Sequence, residues 1–200
     1  MTFASKLKTL NACESAVRWV GRRGIERAWT ECDRGDWMLW LAGRVCEKDS
    51  DLHRLVVRAA VECARPALKH VPKGEKRPAE ALRVALAWTK GKATSEQVRA
   101  AAAAASAAAA AASAAAASAA DSAAAYAAYA AAAAAAAAAS AADSVTASAA
   151  AAYADAAYAD AADAAAAYAA ARTRSLKRSA NTVRRIIPAA EIQKALRRVT

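Results

Sequence analysis

The residues of this chain best equipped for chemistry gather near its C-terminal end. Tyr153, Tyr158 and Tyr168 are followed by Arg172, Arg174, Lys177, Arg178, Arg184 and Arg185 in AYADAAYADAADAAAAYAAARTRSLKRSANTVRR. At about 100° per helical residue, with Tyr153 at zero, Tyr168 falls near 60° and Tyr158 near 140°, while Asp155, Asp163 and Asp160 fall near 200°, 280° and 340°. Tyrosines therefore take one half of a helix and aspartates the other, which suits a helix packed on one side and wet on the other. An anion held where this helix ends would meet tyrosine rings along the wall and guanidinium forks at the mouth. That is a setting for a phosphate or a nucleotide. Cations also stabilise a helix C-terminus through its dipole, so part of the cluster follows from helix physics alone.

Other constellations are weaker. Cys46 with His53 and Cys63 with His70 share a spacing of seven, nearly two helical turns, but tighter Cys-x2-4-Cys pairs are missing and no metal is expected. Trp19, Trp29, Trp37, Trp40 and Trp88 read as core side chains in a domain short of Leu and Phe. Trp19, next to Arg18, Arg22 and Arg23, carries a hint of stacking on a base. Neither His53 nor His70 has a recognisable triad partner, and Asp155, Asp160 and Asp163 read as a solvated face or as partners for arginine. The chain is therefore not expected to be an enzyme, and no cofactor or catalytic residue is assigned.

The elements that must position these residues are helical throughout. Between Gly91 and Pro188 there is neither Gly nor Pro, and alanine, the strongest helix former, dominates. A single helix over residues 95–180 would be about 130 Å long at about 1.5 Å per residue, several times the width of a compact domain. Turns are expected near 140–146, where Asp143 or Ser144 can cap a new helix, with a break at the matching SAADS of 118–122 as the competing choice, and near 179–182. Alanine buries little area, so such helices gain stability by approaching closely. Before residue 95, glycines and prolines punctuate short helices, with turns near 21–24, 33–36, 47–51, 71–78 and 89–95. Asp36, Asp51 and Ser95 are expected N-caps. SAADS at 118–122 and again at 140–144 has the eleven-residue periodicity of ice-binding helices, yet regularly spaced Thr is missing and the tyrosines interrupt a flat face.

The fold class expected is all-α: a helical bundle of short N-terminal helices packed on two long antiparallel Ala-rich helices and a basic C-terminal helix. It forms one domain, 1–200, with a Trp-containing half over 1–94, the long helices over 95–180 and a basic segment over 181–200. Charge is divided likewise. Residues 1–100 carry 20 Lys and Arg against 12 Asp and Glu, residues 101–171 carry none against five Asp, and residues 172–200 carry nine against one, within a net charge of +11. Two basic ends favour anionic partners: phosphates, nucleic acid or an acidic protein surface. The N-terminus is too polar for a secretory segment, and four cysteines without a CxxC pair point to reduced thiols in a cytoplasmic protein. The long alanine run, interrupted by Ser106, Ser113, Ser118 and Asp121, is not expected to span a membrane.

The segments GDWMLWL (35–41), VECARPAL (61–68) and RPAEALRVALAWTKGKATSEQVRAAAAAASAAAAAAS (77–113), with RRIIPAAEIQKAL (184–196), resemble a family of all-helical bacterial immunity proteins found beside polymorphic toxins. The most specific part is the RP-x-x-A-hydrophobic-x-x-A-x-x-W-x-x-G run into alanines. The resemblance implies a non-enzymatic protein that binds and neutralises a protein toxin or defence effector, and it transfers no catalytic residues. Similar proteins in phage genomes imply a counter-defence alternative, sequestration of a small phosphorylated or nucleotide signal. Nucleic-acid binding through the basic termini is a third reading, and homo-oligomers fit all three.

Overall fold

The computed structural model describes residues 1–71, 73–118 and 164–199; along residues 67, 69, 70, 108–118 and 164–172 it describes the backbone path only. Among the described residues there are nine α-helices, one 3-10 helix and no strand. The helices are α1 (Phe3–Thr9), α2 (Glu14–Val20), α3 (Ile25–Glu31), α4 (Gly35–Val45), α5 (Asp51–Ala64), α6 (Arg77–Trp88), α7 (Ser95–Ser118), α8 (Ala164–Ile186) and α9 (Ala189–Leu196), with the 3-10 helix at Arg65–His70. The all-α class is thus as the sequence implies.

Helix starts follow local capping chemistry. Thr2 accepts from the Ser5 backbone N–H at 3.1 Å, and Ser50 from that of His53 at 3.1 Å. Thr94 and Gln97 form a reciprocal capping box: the Thr94 hydroxyl accepts from the Gln97 N–H at 3.2 Å, and the Gln97 side chain accepts from the Thr94 N–H at 2.8 Å. The capping residues are therefore Ser50 and Thr94, one position before the expected Asp51 and Ser95. Asp36 is not a cap either; it lies in the first turn of α4, behind Arg34. At the far end of α6, Gly91 adopts φ +68°, the left-handed conformation that lets the chain leave the helix without a Cβ clash.

Two cores meet along α5. One contains Val20, Trp29, Met38, Leu39, Leu52, Val56, Val183, Ile187 and Ile192, and joins α1 to α4, α8, α9 and one face of α5. The other contains Val57, Val61, Leu82, Trp88, Val98 and Ala102, and joins the second half of α5 to α6 and α7. In the described part of α7 the alanines do what their size permits: Ala105 is buried against Ala81 of α6, small residue on small residue. The partner of this part of α7 is thus α6.

Helix α8 inserts beside α4 and α5 through Ser175, Leu176, Ser179, Ala180 and Val183, all buried. It approaches so closely that a Cβ added to Gly35 would lie 2.5 Å from the Ser179 Cβ and 2.6 Å from the Ala180 nitrogen. The Cys63 thiol donates to the Ser179 carbonyl from the other side, at 3.7 Å. This contact corrects the turn expected near 179–182, and with it the boundary at residue 181. Those residues lie mid-helix, held by α4 and α5, and the break falls at Ile187 and Pro188, where proline ends the hydrogen-bonded run. The break between α1 and α2, where Asn11 has φ +61°, had no Gly or Pro to signal it. The turn expected near 140–146 lies outside the described residues, as does any pairing of long helices beyond residue 118.

Candidate functional site

The structure separates the expected anion site into parts with different employment. Arg184, with a side chain 21% exposed, points at the C-terminal end of α3. It donates to the carbonyls of Cys32 at 2.6 Å and Trp29 at 3.3 Å, and to the Asn181 side chain at 2.6 Å, with Asp33 3.9 Å away. A guanidinium here satisfies carbonyls that a helix end leaves without intrahelical donors and complements the negative end of the dipole. Lys177 pairs with the same Asp33 at 3.3 Å, both side chains more than half exposed. Trp29 completes the joint by donating its indole N–H to the Ile187 carbonyl at 3.0 Å, where α8 ends. Arg184 and Lys177 therefore fasten α8 to α3.

Arg174, Arg178 and Arg185 are exposed on α8. With Lys177 they occupy a band of roughly 100° of the helix circumference, opposite the buried face. Tyr168 and Arg172 lie on the same helix, along its backbone-only stretch. Tyr153 and Tyr158 lie outside the described residues. A related capping device operates at the end of α9, where the Lys6 ammonium donates to the Leu196 carbonyl and, at 3.1 Å, to that of Val199.

A second feature has no signal in the sequence. Helices α1 to α4 frame an apolar cavity of about 370 Å³, open to solvent on one side and lined among others by Phe3, Trp19, Ile25, Trp37, Trp40 and Leu41. Trp19 and Trp37 meet edge to face with centroids 6.2 Å apart. Arg23 lies over the Trp19 ring at 4.8 Å and Arg34 over the Trp37 ring at 4.2 Å, so a guanidinium stacks on each of these indoles. Each is already neutralised. Arg23 donates to Glu31 at 3.0 Å, and Arg34 grips Asp36 through both of its ends, one contact at 2.9 Å. The hydrogen bond to Asp36 raises the Arg34 pKa further, and Arg27 followed by Arg23 hold the Glu31 carboxyl below its ordinary value.

Of the two cysteine and histidine pairs, the side chain of His70 lies outside what the structure describes, and the other three have partners of their own. His53 is buried, its Nδ1 accepts from the Asp49 N–H at 3.0 Å, and its ring meets Trp88 edge to face at 5.0 Å. The Cys46 thiol donates to the Gly43 carbonyl at 3.3 Å. Burial pushes the Cys32 and Cys46 thiols up, and the Cys63 thiol up to about 12. Among the described residues no group of three His, Cys, Asp or Glu is arranged to hold a metal ion, and no helix is long and apolar enough to cross a membrane. No family model matches the chain, and neither curated proteins nor solved structures give a match.

Proposed function

We propose that this chain is a non-enzymatic helical binding protein that neutralises a protein toxin or defence effector by holding an acidic surface of it against the exposed face of α8. The observation that carries the reading is the band of Arg174, Lys177, Arg178 and Arg185 on a helix whose opposite face is locked into the core. A rigid cationic strip presents its charges at fixed spacing and steers an acidic partner before contact. The resemblance to immunity proteins supports the same reading, since its segments include α4 and the end of α5, on which α8 packs, and the α8 to α9 corner.

The test is protection in cells. The product of the adjacent gene, if toxic on expression, is expressed with the wild-type chain or with Arg174→Glu, Arg178→Glu and Arg185→Glu combined. These side chains are exposed, and circular dichroism checks that the variant folds. Protection and complex formation are expected with the wild type and lost with the variant. Equal protection by both would refute this use of α8. The sequestration and nucleic-acid readings stay as proposals on the same strip, and calorimetry with nucleotides and titration with duplex DNA at low salt test them directly. Arg184 counts against a phosphate fork centred on it, because its donors are occupied by carbonyl groups and Asn181.

A further inference from the structure

We infer that the cavity among α1, α2, α3 and α4 is a binding site for an uncharged, planar, two-ring aromatic compound carrying a hydrogen-bond acceptor. Size sets the ring count. A dry protein cavity of about 150 Å³ holds benzene, so the 370 Å³ here takes a fused pair of rings with room for a substituent. Chemistry of the wall sets the rest. Phe3, Trp19, Trp37 and Trp40 supply ring faces and edges against which an aromatic packs with offset or edge-to-face geometry.

A charged guest is disfavoured because Asp36, the ionic side chain of the lining, and the nearby Arg23 are both already paired. Asp36 is held by Arg34, and Arg23 is engaged by Glu31 and by the Trp19 carbonyl. A charged ligand would give up its hydration and find no uncommitted counter-ion in return. The place for an acceptor is offered by the indoles. The N–H of Trp29 donates to Ile187 and that of Trp88 to Ser95 at 3.2 Å. Those of Trp19, Trp37 and Trp40 meet no acceptor among the described residues, and none is sealed from solvent. Three donors without protein partners, on residues lining one apolar cavity, match the usual plan of a small-molecule site: mostly hydrophobic wall with a few polar groups that orient the guest.

Quinoline, neutral at pH 7 and bearing one ring nitrogen acceptor, is the probe. It is titrated into the full ¹⁵N-labelled chain while the five indole N–H resonances are followed, assigned by Trp→Phe variants. Saturable shifts are expected for the indoles of Trp19, Trp37 and Trp40, with Trp88 unmoved. Naphthalene, which lacks the acceptor, should bind roughly threefold to tenfold more weakly, the scale of one net hydrogen bond. 2-Naphthoate, an anion of similar shape, should bind more weakly than either. Cys13 is exposed and lines the cavity, whereas Cys32, Cys46 and Cys63 are covered to different degrees. Modification of Cys13 with N-phenylmaleimide, verified by peptide mapping, should therefore abolish the quinoline shifts while leaving the circular dichroism unchanged. Shifts that never saturate, that move Trp88 equally, or that persist after Cys13 is modified would overturn the site. Naphthalene or 2-naphthoate binding as tightly as quinoline would overturn the ligand class.

Discussion

Replacing Gly35 by Ala isolates the contact on which the placement of α8 depends. The added Cβ would lie 2.5 Å from the Ser179 Cβ, 2.6 Å from the Ala180 nitrogen and 2.7 Å from the Ser179 carbonyl carbon. Non-bonded carbons rest about 3.5 to 4.0 Å apart, so the overlap is about an ångström or more. Two of the three atoms are helix backbone, which cannot rotate aside as a side chain can. Overpacking of this kind costs about 1 to 3 kcal/mol, against a helix-propensity gain of at most about 1 kcal/mol for Gly to Ala. An overlap this deep against backbone takes the upper part of that range, about 2 to 3 kcal/mol, so the clash wins with a net loss of about 1 to 2 kcal/mol. For a chain of this length that lowers Tm by roughly 2 to 8 °C. Gly43 supplies the control on the same helix: a Cβ there meets nothing within 4 Å, so Gly43→Ala should gain up to about 1 kcal/mol. Urea and thermal unfolding followed by far-UV circular dichroism measure both. If Gly35→Ala is as stable as the wild type while Gly43→Ala stabilises, α8 does not approach α4 as described.

Other perturbations read out the remaining joints. Arg184→Ala strips the α3 carbonyls of their donor and should destabilise by about 1 to 3 kcal/mol in urea unfolding, whereas Lys177→Ala, at an exposed ion pair, should change stability by under about 1 kcal/mol. Arg184→Lys should recover part of the loss only, since an ammonium cannot reach several acceptors as a planar fork does. For Cys63 the folded pKa of about 12 lies above its ordinary value of 9.0, so the native state holds the proton more tightly. Its contribution is fully present below pH 9 and is lost as pH rises from 9 towards 12. Cys63→Ser, which keeps a donor for the Ser179 carbonyl but does not titrate in that window, should make the alkaline fall in stability shallower when unfolding is measured from pH 8 to 11.

What the sequence by itself determines is local. Alanine propensity, the spacing of Gly and Pro, and Ser or Thr before apolar runs establish the all-α class and place most turns of the first half, with caps displaced by one residue because neighbouring side chains such as Ser50 and Asp51 compete for the same orphan donors. The paired halves of the tyrosine and aspartate pattern are equally local, and most of that stretch lies outside the described residues. What only the tertiary structure decides is what each side chain meets. Arg184 and Arg185 are adjacent and chemically identical, yet one is spent on carbonyls of a helix more than 150 residues away and the other stays exposed. Gly35 reads as a helix-start residue, but its missing Cβ is the space into which Ser179 fits. The indoles of Trp19, Trp37 and Trp40 read as core, yet four short helices, each too small to bury its own apolar face, leave a cavity where they meet. Helix formation is governed by neighbours a few residues apart, whereas the employment of a charge or a cavity depends on which distant element arrives beside it, and that is decided by burial over the whole chain.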